Sequence, residues 1–233
     1  MYYPYYYSFF DPTYILVIIG ALFSIWASGR VNHTFEKYNR VRAMSGLTAA
    51  QAAERILHTN GIYDVTIHRR PGNLTDCYVP SKKELYLSDS TYNSSSIAAI
   101  GVAAHECGHA IQDARHYVPL TVSNAIHPVC AIGSNLGFPL LVAGIIFSLR
   151  PLIDIGIILF SLGVVISILT LPVEYNASNR ALAILGETGM LSDEELVGTK
   201  KVLRAAGLTY VAAAASMILS LLRMILLSRR NDR

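Results

Sequence analysis

Charged residues are scarce in this chain: Asp, Glu, Lys and Arg together make up only 15% of its 233 residues. Hydrophobic residues make up 52%, and the mean hydropathy is +0.39. A water-soluble protein of 25.5 kDa has a more polar composition than this. The shortage of charge therefore argues against an ordinary soluble domain and makes the lipid bilayer one of the solvents of the chain.

Cysteine is also scarce, and basic charge is not concentrated. Cys77, Cys107 and Cys130 form no CxxC pair and no even set, which argues against a disulfide scaffold and a cysteine-based zinc knuckle. The net charge is only +3. Lys and Arg lie near apolar runs rather than in a basic stripe with interleaved aromatic residues, so we expect no nucleic-acid partner.

Four apolar segments have about the 18 residues that a membrane-crossing helix needs. They cover residues 12–29, 129–149, 155–171 and 205–222. The first follows an aromatic cluster typical of the membrane interface, and no Lys or Arg precedes it, so it predicts an uncleaved anchor rather than a signal peptide. The second and third predict a helical hairpin. The fourth is alanine-rich, and the sequence leaves open whether it crosses the membrane.

Basic residues near the span ends predict the orientation, because the side that retains them is cytoplasmic. Such residues follow the first span and precede the fourth: Arg30, Lys37, Arg40, Arg42, Lys200, Lys201 and Arg204. We therefore expect residues 30 to about 125 and about 172–204 in the cytoplasm of a multi-pass cell-membrane protein. The basic residues at the end of the chain, Arg229, Arg230 and Arg233, oppose this orientation if the fourth segment crosses.

Residues 30–128 have the composition of a small α+β domain. A capping threonine and an Asn-Gly stop predict a helix over 48–60. Alternating apolar residues predict strands at 63–69 and 84–88. Serines that can cap a helix precede a segment from residue 97 to about 114, which predicts a further helix.

That last helix contains His105-Glu106-Cys107-Gly108-His109. The two histidines lie four residues apart, so both imidazoles project from one face and can share one zinc ion. Glu106 is placed to take a proton from a water on that zinc and to pass it to the leaving amine. The competing interpretation, two ordinary histidines on a helix, gives the glutamate no packing reason to lie there.

Catalytic zinc usually has three protein ligands and a water, so one ligand is missing from this helix. Gln112 and Arg115 stand where the metzincin pattern has Gly and His, which excludes that class. His116 cannot converge on the same ion without a break in the helix. Asp113 is better placed to orient a ligand than to bind metal.

Glu174 is the remaining candidate for the third ligand. A membrane hairpin crosses twice, so it returns Glu174 to the side of the membrane that holds His105 and His109. Pro172 at a helix start and the acidic Glu174 near its first turn also favour a new helix that begins at this point. A carboxylate that merely favours a helix start is the competing interpretation.

Two stretches, residues 103–112 (AAHECGHAIQ) and 174–181 (EYNASNRA), resemble the signatures of the YugP-like neutral zinc metallopeptidases. More distantly, the arrangement is similar to HtpX and the CAAX prenyl endopeptidases. The resemblance implies a zincin-like core, proteolysis of membrane proteins and Glu174 as the third ligand. Ser178 stands where the distant relatives carry an Asp that orients a zinc-bound His, so Asp113 or Asp76 is an alternative for that role.

The sequence thus predicts an α+β membrane protein in which a zincin-like core is joined to about four transmembrane helices. Its predicted parts are an anchor, a catalytic part, a hairpin, a ligand-bearing helix and a last hydrophobic helix: 1–29, 30–128, 129–171, 172–204 and 205–233.

The predicted function is a zinc-dependent endopeptidase with one Zn²⁺ per chain, acting on peptide or membrane-protein substrates. The strand before the metal helix is the candidate edge on which an extended substrate adds, through Glu84, Leu85, Tyr86, Leu87 and Ser88. An ordinary strand of the sheet is the competing interpretation. The alternatives are a catalytically inactive membrane scaffold or regulator that keeps the fold, and an aminopeptidase.

Overall fold

The computed structural model describes residues 11–231, and side chains as far as Arg229. The predicted aromatic cluster at the start and the basic Arg233 lie outside the described residues. The described helices are α1 (Tyr14–Asn39), α2 (Ala49–Thr59), α3 (Ile97–Ala114), α4 (Val118–Ile146), α5 (Arg150–Glu187) and α6 (Asp193–Asn231). The described strands are β1 (Thr66–Arg70), β2 (Cys77–Val79) and β3 (Glu84–Ser88).

The chain forms two compact units. One comprises the described residues up to Ile25, His127–Ser167 and the described residues from Ala212 onward. The other comprises Trp26–Ile126 and Ile168–Val211, and it contains the sheet, α2 and α3. Each long helix continues from one unit into the other.

The helices α1, α4, α5 and α6 are long and apolar enough to cross a membrane. The prediction of about four such helices beside a small sheet is confirmed, and the described chain is mostly helical. Each predicted apolar segment lies largely within one of these helices, although the helices extend further. The boundary predicted between residues 204 and 205 falls inside α6.

The prediction that Pro172 begins a new helix is wrong, because Pro172 lies inside α5. A proline in a helix interior costs about 3 kcal/mol, since it lacks one donor and crowds the preceding turn. The proline affects only the turn that precedes it. In apolar surroundings an unpaired backbone N–H or C=O is costly, so the helical hydrogen bonds on both sides of Pro172 favour one continuous helix. Glu174 therefore lies within a continuous helix instead of at a helix start.

The core of the second unit lies between α2, α3, β3 and the segments of α5 and α6 that belong to this unit. Two caps define its shorter helices as the sequence predicts. Thr48 and Gln51 form a capping box at the start of α2, and Ser96 accepts a hydrogen bond from the backbone N–H of Ala99 at 3.1 Å to begin α3. The predicted helices at 48–60 and 97–114 are thereby confirmed.

The sheet has the strand order β1–β3–β2, with β1 parallel and β2 antiparallel to β3. Since β3 has a neighbour on each side, the prediction that Glu84–Ser88 forms an open edge is wrong. Leu85 and Leu87 are fully buried in the core. The sequence did not predict β2, whose three residues are too few to show an alternating pattern. With β2 present, the open edges among the described strands belong to β1 and β2.

Candidate metal centre

The helices α3 and α5 approach each other closely at the candidate metal centre. Gly108 makes this approach achievable, because a Cβ atom at this position would lie 2.6 Å from the carbonyl oxygen of Ala177. The backbone of α5 therefore occupies the space that a side chain at residue 108 would need. Ala177 is one turn from Glu174, so this contact brings the carboxylate of Glu174 against the two histidines of α3.

Three side-chain atoms of these helices form a small triangle. Nε2 of His105 and Nε2 of His109 lie 3.2 Å apart. Oε2 of Glu174 lies 3.2 Å from Nε2 of His105 and 3.5 Å from Nε2 of His109. A zinc ion with ligands at 2.0–2.1 Å in tetrahedral geometry separates its ligand atoms by about 3.3 Å. The triangle has the edge lengths that such an ion requires.

The polarity of the triangle also fits a cation. Oε2 of Glu174 is buried, and no hydrogen bond satisfies it. A buried carboxylate oxygen without a donor is costly unless a cation compensates its charge. Neutral imidazoles and a carboxylate are ordinary zinc ligands. His105, His109 and Glu174 are also the metal-ligand group that the geometry identifies among the described residues.

Both histidines are oriented through their second ring nitrogen. Nδ1 of His109 lies 3.0 Å from the amide oxygen of Gln112, and Nδ1 of His105 lies 3.1 Å from the hydroxyl of Ser178. An amide oxygen can only accept, so His109 carries its proton on Nδ1 and presents the lone pair of Nε2 to the triangle. Such partners fix the tautomer and the ring orientation of metal-binding histidines.

Gln112 does more than contact one histidine. Its amide nitrogen donates to the backbone carbonyl of Val173 at 2.9 Å and to Oδ1 of Asn176 at 3.0 Å. The side chain is fully buried. Since Val173 and Asn176 flank Glu174 on α5, Gln112 links the second histidine to the helix segment that holds the carboxylate.

The two aspartates considered as alternatives to Ser178 have other partners. Asp113 accepts hydrogen bonds from the hydroxyl of Tyr78 at 2.9 Å and from Nζ of Lys83 at 2.7 Å, so it ties the β2–β3 hairpin to the end of α3. Asp76 accepts from the backbone N–H of Ser88 at 2.8 Å and from its hydroxyl at 2.9 Å. Among the described residues, Ser178 is therefore the side chain that contacts Nδ1 of His105.

Glu106 faces a cavity beside the triangle. Its side chain is buried, and the cavity, about 310 Å³ in volume, is also lined by His105, Asp76 and Tyr210. Burial raises the pKa of Glu106 above its ordinary value, and the nearby histidines oppose this rise only in part. Such a carboxyl group holds a proton more readily than an exposed glutamate does, as a group that both takes and gives a proton requires.

The electrostatics of His109 follow from its two acidic neighbours. Burial alone lowers the pKa of His109, but the carboxylate of Glu174 and the charge of Glu106 outweigh this effect and raise the pKa to about 8. The negative charge of the two glutamates thus attracts positive charge to this point, whether a proton or a metal ion.

Three contributors were not assigned roles from the sequence: Gln112, Asn176 and Tyr210. Gln112 had a usable signal, because it lies three residues after His109 and so shares a face of α3. Asn176 follows Glu174 by only two residues, and that spacing does not place two side chains on one face of a helix. The sequence therefore gave no signal for Asn176. Tyr210 comes from α6, and no local pattern relates it to α3.

Comparison with known proteins identifies the family of the chain. Residues 13–229 match the family described as "Putative neutral zinc metallopeptidase". The chain belongs to this family. It is also 44% identical over 222 residues to a protein of Bacillus subtilis (strain 168) named "Putative membrane protease YugP". The match covers 94% of this chain and 99% of that protein. No solved structure matches the chain.

The resemblance inferred from residues 103–112 and 174–181 is thereby confirmed. Membership of a zinc peptidase family implies zinc as the metal, and His105, His109 and Glu174 offer it two imidazoles and a carboxylate. The name of the relative and the four long apolar helices agree on a membrane protein.

Proposed function

We propose that this chain is an integral-membrane zinc endopeptidase with a zincin-like core, in which His105, His109 and Glu174 hold one Zn²⁺. One observation supports the proposal most strongly: the three ligand atoms form a triangle with edges of 3.2, 3.2 and 3.5 Å, and Glu106 lies beside it in the same cavity. When bound, zinc lowers the pKa of a coordinated water and polarises the carbonyl of the substrate.

Glu106 acts as the general base and then as the general acid. It accepts the proton of the attacking water and delivers it to the amine that leaves when the peptide bond breaks. Burial keeps bulk water away from this carboxyl group and favours its protonated form, so the proton is retained between the two steps.

Tyr210 supplies the donor that stabilises the developing oxyanion. It lines the same cavity as His105 and Glu106. A preorganised hydroxyl at the reacting carbonyl is a common source of transition-state stabilisation.

An extended substrate adds to the open edge of β2 rather than to β3. Asp76 precedes β2 directly and lines the cavity that contains Glu106, so a peptide along this edge passes the catalytic group. Backbone hydrogen bonds to an edge strand hold a peptide with little dependence on its sequence. Glu84–Ser88 then supports the substrate edge as the central strand.

The residues that the structure describes favour an enzyme over an inactive scaffold. The metal-ligand group among them has three members, whereas a structural zinc site usually closes with a fourth protein ligand. A scaffold also has no use for a buried carboxylic acid next to the ion. The basic residues that flank the first and fourth spans support a cytoplasmic location for the catalytic part.

A Glu106→Gln variant tests the proposal. The amide keeps the size of the side chain but cannot accept the proton, so we expect zinc content to stay unchanged and cleavage of a denatured, membrane-tethered protein to fall about 10²–10⁴-fold. Glu187→Gln, an exposed position at the end of α5, is the matched control and should keep full activity. Equal cleavage by the wild type and Glu106→Gln contradicts the proposal.

A further inference from the structure

A second cavity, about 650 Å³ in volume, lies between α1 and α6 within the unit that holds the metal centre. Its rim is basic: Arg30, His33 and Lys37 come from α1, and Lys201 and Arg204 come from α6. Its floor is formed by uncharged side chains, among them Thr34, Tyr38, Ala205 and Leu208. We call this cavity the basic groove.

The basic groove follows from the helical periodicity of both elements. Arg30, Thr34 and Lys37 recur at intervals of three and four residues, so they project from one face of α1. Lys201, Arg204 and Leu208 recur in the same way on α6. Two basic faces therefore meet across one cavity, whereas charges that merely mark the cytoplasmic side of a membrane protein need not converge.

Among the residues that the structure describes, no carboxylate pairs with the basic side chains of the groove. None of its lining residues is acidic, and Arg30, Lys37, Lys201 and Arg204 form no ion pair with any residue in the described range 11–231. Arg30 lies 5.8 Å from the ring of Trp26, which orients the guanidinium but leaves its charge available. Cations held close together without a counter-charge attract an anion.

The groove lies where the apolar stretches end. The apolar segment of α1 extends to Gly29, directly before Arg30, and the apolar segment of α6 begins after Arg204. In a helix that crosses a bilayer, this change of composition marks the level of the lipid headgroups. Basic pockets between membrane helices at this level are suited to anionic headgroups.

We propose that the basic groove binds the headgroup phosphate of an anionic phospholipid. The guanidinium and ammonium groups of the rim pair with the phosphate oxygens, and the hydroxyl of Tyr175, which also lines the groove, is a further donor. Leu208, an apolar residue of the groove, accommodates the beginning of the acyl chains. The site is separate from the peptidase chemistry, although Tyr175 adjoins Glu174 in sequence.

The full-length protein in detergent micelles tests this proposal by native mass spectrometry. We expect it to retain added phosphatidylglycerol in preference to phosphatidylcholine. A groove variant with Arg30→Gln, Lys37→Gln, Lys201→Gln and Arg204→Gln should bind phosphatidylglycerol about tenfold or more weakly, since each removed cation weakens the attraction. The charge-matched control carries Arg40→Gln, Arg55→Gln, Lys82→Gln and Lys200→Gln, all exposed and outside the groove, and should bind as the wild type does.

A double variant and a competition experiment with inorganic phosphate complete the test. The double variant Lys201→Gln with Arg204→Gln, which changes only exposed side chains of α6, should show an intermediate loss and guards against misfolding of the fourfold variant. Inorganic phosphate at millimolar concentration should fail to displace the lipid. Equal loss in the groove and control variants overturns the proposal, and so does displacement by phosphate, which identifies the free ion as the ligand.

Discussion

The amide oxygen of Gln112 lies 3.0 Å from Nδ1 of His109. Because the amide nitrogen of the same side chain donates to the carbonyl of Val173 at 2.9 Å, one buried residue connects a proposed zinc ligand on α3 to the helix that carries Glu174. Gln112 thus links two of the proposed metal ligands without belonging to the ligand group itself.

Gln112→Leu removes both functions of this side chain while keeping much of its volume. We expect zinc affinity to fall about 10–100-fold, as is typical when the partner of a metal-binding histidine is lost. Gln112→Glu keeps an acceptor for His109 but cannot donate to Val173, so it should recover much of the affinity and less of the thermal stability. Chelator competition and thermal unfolding separate the two effects. Equal zinc affinity in wild type and Gln112→Leu contradicts this role.

Ser178 contacts Nδ1 of His105 through its hydroxyl. Ser178→Ala leaves Nδ1 of His105 without its partner at 3.1 Å, and we expect zinc affinity to fall about tenfold or more. Ser178→Asp restores a stronger acceptor and should bind zinc at least as tightly as the wild type. Ser161→Ala, elsewhere on α5, is the control. A zinc affinity in Ser178→Ala equal to that of the control excludes an orienting role.

Tyr210→Phe removes only the hydroxyl that we assign to the oxyanion. We expect kcat to fall about 10²–10³-fold, which is typical for the loss of one such donor, while KM and zinc content stay nearly constant. Tyr63→Phe changes an exposed tyrosine and should have no effect. Steady-state kinetics on a peptide substrate measures the outcome. A rise in KM alone means that Tyr210 contributes to substrate binding instead.

Gly108→Ala tests the close approach of α3 and α5. The added Cβ atom would lie 2.6 Å from the carbonyl oxygen of Ala177, so the helices must separate and the ligand triangle must widen. We expect loss of stability by about 1–3 kcal/mol, as in other overpacked sites, together with weaker zinc binding. The control is Gly29→Ala, since a Cβ atom at that position of α1 meets nothing within 4 Å. Unchanged zinc affinity in Gly108→Ala shows that the approach does not set the ligand geometry.

Local signals predicted the elements around the metal helix well. The caps at Thr48 and Ser96 fixed the starts of α2 and α3, because each side-chain oxygen pairs with a specific backbone N–H. The short β2 escaped detection, since its pairing depends on β3 rather than on its own pattern. The prediction that β3 is an edge strand was wrong for the same reason. Without β2, the central strand β3 has a neighbour on one side only.

The position of Glu174 beside His105 and His109 was predicted by the membrane topology and not by the local sequence. The membrane hairpin brought Glu174 to the side of His105 by topology alone, whereas the local argument from Pro172 predicted a helix start that does not exist. Tyr210 lay beyond prediction, because its place in the cavity depends on how α6 packs against α3. Long-range packing of this kind leaves no periodic trace in the sequence.

The most direct test of the account is X-ray absorption at the zinc edge, combined with the zinc content of the purified protein. We predict one zinc per chain with nitrogen and oxygen ligands at about 2.0–2.1 Å, the outer scattering of two imidazoles and loss of tight binding in Glu174→Ala. A sulfur ligand at about 2.3 Å would contradict the assignment by pointing to a cysteine such as Cys107. Retention of one zinc at unchanged affinity in Glu174→Ala would contradict it equally.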